Sequence, residues 1–86
     1  MSTAHEPDPA AREFRQTAEA LGRLLIWLSD GKTLEDRGLR ATVALYCVRP
    51  DLIGGATLEQ IGLIAGRSRQ SVHQLVRSFR ACLQPN

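Results

Sequence analysis

Residues 57–76 read TLEQIGLIAGRSRQSVHQLV. Apolar residues fall at helical intervals at Leu58, Ile61, Ile64 and Ala65, stop across Gly66, Arg67 and Ser68, and resume at Val72, Leu75, Val76 and Phe79. The spacing predicts two short helices joined by a three-residue turn built on a glycine. Thr57 with Gln60 three positions on is a capping-box pattern, so the first helix is expected to begin there. Gly62 falls where the two helices must cross closely. Gly66 can take the positive φ of a sharp turn after Ala65, and Ser68 is a good N-cap for the second helix.

Working outward, the rest of the chain also reads as helices. Residues 1–9 hold two prolines, two acids and no large apolar residue beyond Met1, and read as a disordered tail. A first helix is expected from Ala10 to Leu28, with Pro9 suited to its first turn. Phe14, Ala18, Leu21, Leu25 and Leu28 form a heptad-like stripe that Leu24 and Trp27 widen. Gly31 reads as a left-handed stop and Thr33, with Asp36 behind it, as the N-cap of a second helix. That helix is expected to reach about Val48, with Pro50 forcing its exit. Its segment Val43–Val48 is apolar all round, as a central buried helix would be. Gly38 inside it either permits close packing or marks a later start. Leu52 and Ile53, before the turn at Gly54 and Gly55, are expected to plug the core. The fold expected is all-α: a compact four-helix domain over residues 10–86 with a helix-turn-helix at its C-terminal end.

With 86 residues there is room for one small core and no separate catalytic domain. No apolar run approaches the ~20 residues that cross a bilayer, and MSTAHEPDPA lacks the basic start and apolar stretch of a secretory signal. Cys47 lies in an apolar run and reads as a small buried hydrophobe rather than half of a disulfide with Cys82. A reduced, cytoplasmic compartment is therefore expected. His5 and His73 have no partners at metal spacing, so no metal site is expected. A Cys82–His73 nucleophile pair fails because nine residues put them on different sides of a helix. Gly54 and Gly55 lack the Gly-Lys-Ser/Thr ending of a phosphate loop. Trp27 and Tyr46 read as core. Neither an enzyme, nor a cofactor, nor a small-molecule pocket is expected.

Charge is divided unevenly. From Met1 to Asp36, four basic residues stand against seven acidic ones; from Arg37 to Asn86, seven arginines stand against Asp51 and Glu59. The C-terminal half is thus suited to a polyanion. If Val72, Leu75, Val76 and Phe79 face inward, then Arg69, Gln70, His73, Gln74, Arg77 and Arg80 face largely outward. Arginine pairs bidentately with guanine and glutamine with adenine, while arginine, serine and histidine also hold phosphates. Two helices about a glycine turn, the second carrying these residues, make the unit that lays its second helix in the DNA major groove. Sequence-specific binding of double-stranded DNA is expected, with residues 69–82 as recognition helix. The alternatives are a protein-interaction module that uses helix 1, with the motif as scaffold, and a DNA-packaging recognition subunit.

The segment TLEQIGLIAGRSRQSVHQLV resembles the helix-turn-helix of LacI-type repressors and, in SRQSV, that of KorA-like plasmid repressors. The likeness covers about twenty of the 86 residues. The motif's place at the end of the chain is similar to region 4 of sigma factors and to phage small terminase N-terminal domains. What the resemblance implies is a small phage, plasmid or bacterial regulator whose Arg69, Gln70 and Gln74 reach base edges. Thr57, Arg67, Ser68, Ser71, His73, Arg77 and Arg80 are then expected along the DNA backbone. Gly62 replaces the usual alanine. Arg67 replaces the usual apolar core plug, so either its guanidinium swings out to a phosphate or the turn differs from the family's. Most such proteins dimerise on paired half-sites. The helix 1 stripe either provides that seam or closes the monomer's own core.

Overall fold

The computed structural model describes residues 8–84. Among them are four α-helices and no strand: α1 (Pro9–Ser29), α2 (Leu34–Val48), α3 (Leu58–Ala65) and α4 (Arg69–Leu83), with a 3-10 turn at Pro50–Ile53. The expected all-α class is the class observed. Most of the expected tail, with His5, lies outside the described residues. Its last two positions belong to the fold instead. Asp8 caps α1, its carboxylate accepting from the Ala10 amide at 3.4 Å, and Pro9 opens the helix one residue earlier than the apolar pattern indicated.

The helix ends follow local chemistry. Thr33 Oγ1 accepts from the Asp36 amide at 3.0 Å to start α2, which stops at Arg49 because Pro50 disfavours helical φ/ψ in the residue before it. Gly54 and Gly55 take φ of 65° and 69° in the turn that follows. At α3 both halves of the capping box form: Gln60 N donates to Thr57 Oγ1 at 3.1 Å and Thr57 N to Gln60 Oε1 at 2.8 Å. Gly31 departs from expectation. Its φ is not positive; α1 is capped by Asp30 in ordinary helical geometry. The glycine is needed because α2 starts on top of it, where a Cβ would stand 3.0 Å from the Arg37 backbone nitrogen.

The core joins all four helices through Trp27, Leu39, Val43, Leu58, Ile61, Val72, Val76 and Phe79, with Val43 and Val72 fully buried. Trp27 fastens α1 to α4. Its ring meets Phe79 edge-on at 5.2 Å, and its Nε1 donates to Ser78 Oγ at 2.8 Å. Arg40 caps the same ring from α2, its guanidinium 4.9 Å from the centroid while donating to the Trp27 carbonyl at 3.0 Å. Several apolar residues expected inside are outside. α2 buries only the stripe of Leu39 and Val43 and leaves Val48 exposed. Ile53 packs on the core but Leu52 does not, and Ile64 is 87% exposed because an eight-residue α3 has contact for one face only. Along α1 the core side is Leu24, Trp27 and Leu28, whereas Phe14, Leu21 and Leu25 face solvent. No helix is long and apolar enough to cross a membrane among the described residues.

Candidate functional site

Gly66, Arg67 and Ser68 separate α3 from α4, as the spacing predicted. Gly66 has φ 69°, and the Arg67 amide closes the turn by donating to the Gly62 carbonyl at 2.8 Å. Gly62 is required more strictly than helix crossing alone would demand. A Cβ there would meet the Arg67 carbonyl oxygen at 2.8 Å, so the turn folds back onto the helix it leaves. Ser68 then caps α4, with its Oγ accepting from the Ser71 amide at 3.1 Å. The amides of Arg69 and Gln70 are left without an intrahelical partner at this end, as at any helix start. The hydroxyls of Thr57 and Ser68 accept cap bonds, so each keeps its own O–H for another acceptor.

Val72, Val76 and Phe79 are buried and Leu75 is half-buried, which sets the facing of the rest of α4. Gln70, Gln74 and Arg77 are exposed on the side away from the core. Arg69 and His73 lie along one flank, next to α3. With Tyr46, Thr57, Leu58 and Glu59 they line an open cleft of about 430 Å³, and with Gln70 and Arg77 a shallower hollow on the outer face. Five side chains expected at DNA are thereby brought onto one continuous surface, with Gln74 beside them. Ser71 is half-buried and lies on the opposite flank together with Ser78, whose hydroxyl is occupied by Trp27.

Two of the expected backbone contacts sit differently. Arg67 is exposed, so it does not plug the core, but its guanidinium is paired with Asp36 in the first turn of α2. It lies among Asp36, Leu39 and Leu75, on the flank of α4 opposite His73. The acid at the third position of α2 captures it, and the phosphate expected there has a competitor within the chain. Arg80, two turns further along α4 than His73, lies against α2 beside Cys47. Burial pushes the Cys47 thiol up, and the Arg80 charge and hydrogen bond partly offset this. Cys82 is likewise pushed up by burial, with Arg23 opposing. Both thiols are free.

The charge asymmetry therefore has two components. Arg37 donates to the Gly31 carbonyl at 2.8 Å, Arg40 to that of Trp27, Arg49 is bidentate with Asp51 at 2.9 and 2.7 Å, and Arg67 holds Asp36. These four arginines have structural partners. Arg69 and Arg77 have none among the described residues. Counting residue types from the sequence could not make that division, because it depends on tertiary neighbours. Tyr46 and Glu59 were not expected at the site; only the packing of α2 and α3 against the flank of α4 brings them there. No cluster of three or more metal-binding side chains occurs among the described residues.

Comparison with family models, with curated proteins and with solved structures finds no match to this chain.

Proposed function

We propose that the chain binds double-stranded DNA sequence-specifically, with α3 and α4 acting as a helix-turn-helix and α4 entering the major groove. The observation carrying this reading is the outer surface of α4. Gln70, Gln74 and Arg77 are exposed there, Arg69 and His73 border it, and neither arginine has a partner among the described residues. An arginine face with no internal use is what a polyanion would complete. Arg69, Gln70 and Gln74 are the base readers in this account, since residues in the first turns of a recognition helix reach base edges. Thr57, Ser68, His73 and Arg77 hold phosphates. Arg67 and Arg80 contribute charge from beside the site rather than grip. Glu59 lines the cleft beside Arg69 and His73 and opposes a phosphate there, so the backbone is expected to pass on the outer side of α4, over His73 and Arg77. The role is that of a small transcription regulator of phage, plasmid or bacterial type, and two free thiols fit a cytoplasmic setting.

Selection of bound sequences from a random DNA pool tests this. The wild-type chain should enrich a defined motif. Gln70→Ala and Gln74→Ala should relax it at single positions, each pair being worth ~1–3 kcal/mol of discrimination. Arg77→Ala should keep the motif and weaken all sequences alike. An unenriched pool from a folded protein would rule the reading out.

A second reading has one specific observation in its favour. The apolar side of α1 is uncovered over its N-terminal half, which suits a protein partner with α3 and α4 serving as scaffold, or a packaging subunit that must assemble.

A further inference from the structure

α1 carries two apolar faces. Leu24, Trp27 and Leu28 pack on the core. Phe14, Leu21 and Leu25 are 74%, 53% and 63% exposed. At ~100° per residue, Phe14, Ala18, Leu21 and Leu25 share a strip within about 60° of arc, turned about 100° from the mean direction of Leu24, Trp27 and Leu28. The exposed strip meets the core face at Leu28 and continues past it onto a side of α1 that nothing in the bundle covers. It also runs beyond the bundle: every residue from Asp8 to Leu21 is exposed, and the long dimension is 62 Å against 26 and 21 Å.

We infer that a second copy of this chain covers the strip, the two α1 helices pairing antiparallel about a point between Ala18 and Leu21. Intervals of 4, 3 and 4 are the knob spacing of a helix pair, narrower than the face of a helix lying on a globular core. Residue size then decides the direction. In an antiparallel pair, Ala18 faces Leu21 of the second copy and Phe14 faces Leu25, so each layer of the strip holds at least one large side chain and no two small ones meet. A parallel pair in register would set Ala18 on Ala18 and Phe14 on Phe14, alternating gaps with crowding. Charge does not oppose the arrangement. The flanking Arg15 and Thr17 face Gly22 and Leu24 of the other copy, so no like charges meet.

The exposed parts of Phe14, Leu21 and Leu25 amount to roughly 300 Å² of apolar surface per copy. With flanking atoms, a pair would bury about 1,000 Å² in all, the low end of specific interfaces, so the dimer is concentration-dependent. Trp27, bonded to Ser78 and stacked on Phe79, transmits the position of the seam to α4. The two Trp27 side chains stand about 22 Å apart along the pair, with the two bundles at opposite ends. A read-out of two half-sites rests on the DNA reading above; the pairing itself does not.

Sedimentation equilibrium of the full chain without DNA, from ~5 to ~200 µM, tests the pairing at the affinity expected of such an interface. The wild-type mass should rise from monomer towards dimer. Leu21→Glu and Phe14→Glu should stay monomeric with unchanged melting of the bundle, and Ile64→Glu, an exposed apolar position off the strip, should dimerise like wild type. A wild-type monomer throughout would overturn the inference, as would Ile64→Glu and Leu21→Glu behaving alike. Direction is read by spin labels at Ala11→Cys in a Cys47→Ser, Cys82→Ser background. Antiparallel helices separate them by about 25 Å along the axis, whereas a separation near ~10 Å would mean a parallel pair. Because DNA is absent, failure here leaves the DNA reading standing; DNA binding would then be by single copies to unpaired sites.

Discussion

At the residue scale the helical glycines separate into two kinds. A Cβ on Gly62 would meet the Arg67 carbonyl at 2.8 Å, a backbone atom that can move only by opening the turn. Gly62→Ala is therefore expected to destabilise the fold by roughly 1–3 kcal/mol, the range for overpacking. Gly38 lies on an exposed part of α2 where a Cβ would meet nothing. It neither permits close packing nor delays the helix, and Gly38→Ala should stabilise by up to ~1 kcal/mol. Paired denaturant titrations of the two variants read both signs; a stabilised Gly62→Ala would show that the turn opens to admit a methyl group without cost. Cys47 offers a second residue-scale test. Burial raises its pKa and Arg80 lowers it, so Arg80→Ala should raise it further. The thiolate is the reacting form, so alkylation of Cys47 at neutral pH should slow in that variant. Faster alkylation would mean that Arg80 shields the thiol more than it ionises it.

At the scale of the elements, helix ends were legible in the sequence because caps and breakers act through neighbours in the chain. Thr33 with Asp36, Thr57 with Gln60, Ser68 and Pro50 all act where they were read. Which face of each helix is covered was less legible. Ile64 and the Phe14–Leu25 strip have helical apolar spacing yet face solvent, because spacing reports a stripe and not what lies against it. Gly31 has its expected position for an unexpected reason, since close approach by α2 is a tertiary fact. For the candidate site, the outward set of α4 followed from the buried set. The diversion of Arg67 to Asp36, 31 residues earlier in the chain, carries no local signal. Because that pair is partly exposed and so partly screened by solvent, Asp36→Ala is expected to cost about 1 kcal/mol of stability. It should free Arg67 and strengthen DNA binding modestly, and an unchanged affinity in a binding assay would show that Arg67 lies out of reach of the DNA.

On the scale of the whole molecule, a small bundle holds α4 against α1 through one aromatic joint. Trp27 is the only buried residue of α1, so the attachment of that helix depends largely on it. Trp27→Ala is expected to cost about 3–5 kcal/mol, enough to melt most of a domain this small. Trp27→Phe keeps the ring and loses the bond to Ser78, for roughly 1 kcal/mol. Thermal melts followed by circular dichroism separate the two; equal losses would mean that the Ser78 bond, not the packing, holds α1. The net charge of +2 does not say where a polyanion would bind: four arginines of the C-terminal half have partners within the fold, whereas Arg69 and Arg77 have none among the described residues. The central claim, that this face binds DNA, is most directly tested by fluorescence anisotropy of a labelled mixed-sequence duplex titrated with wild-type protein at two salt concentrations. Binding should be measurable at ~50 mM salt and fall by ~200 mM, roughly 3-fold for each phosphate that an arginine neutralises. No binding at the lower salt, or an affinity indifferent to salt, would contradict the account.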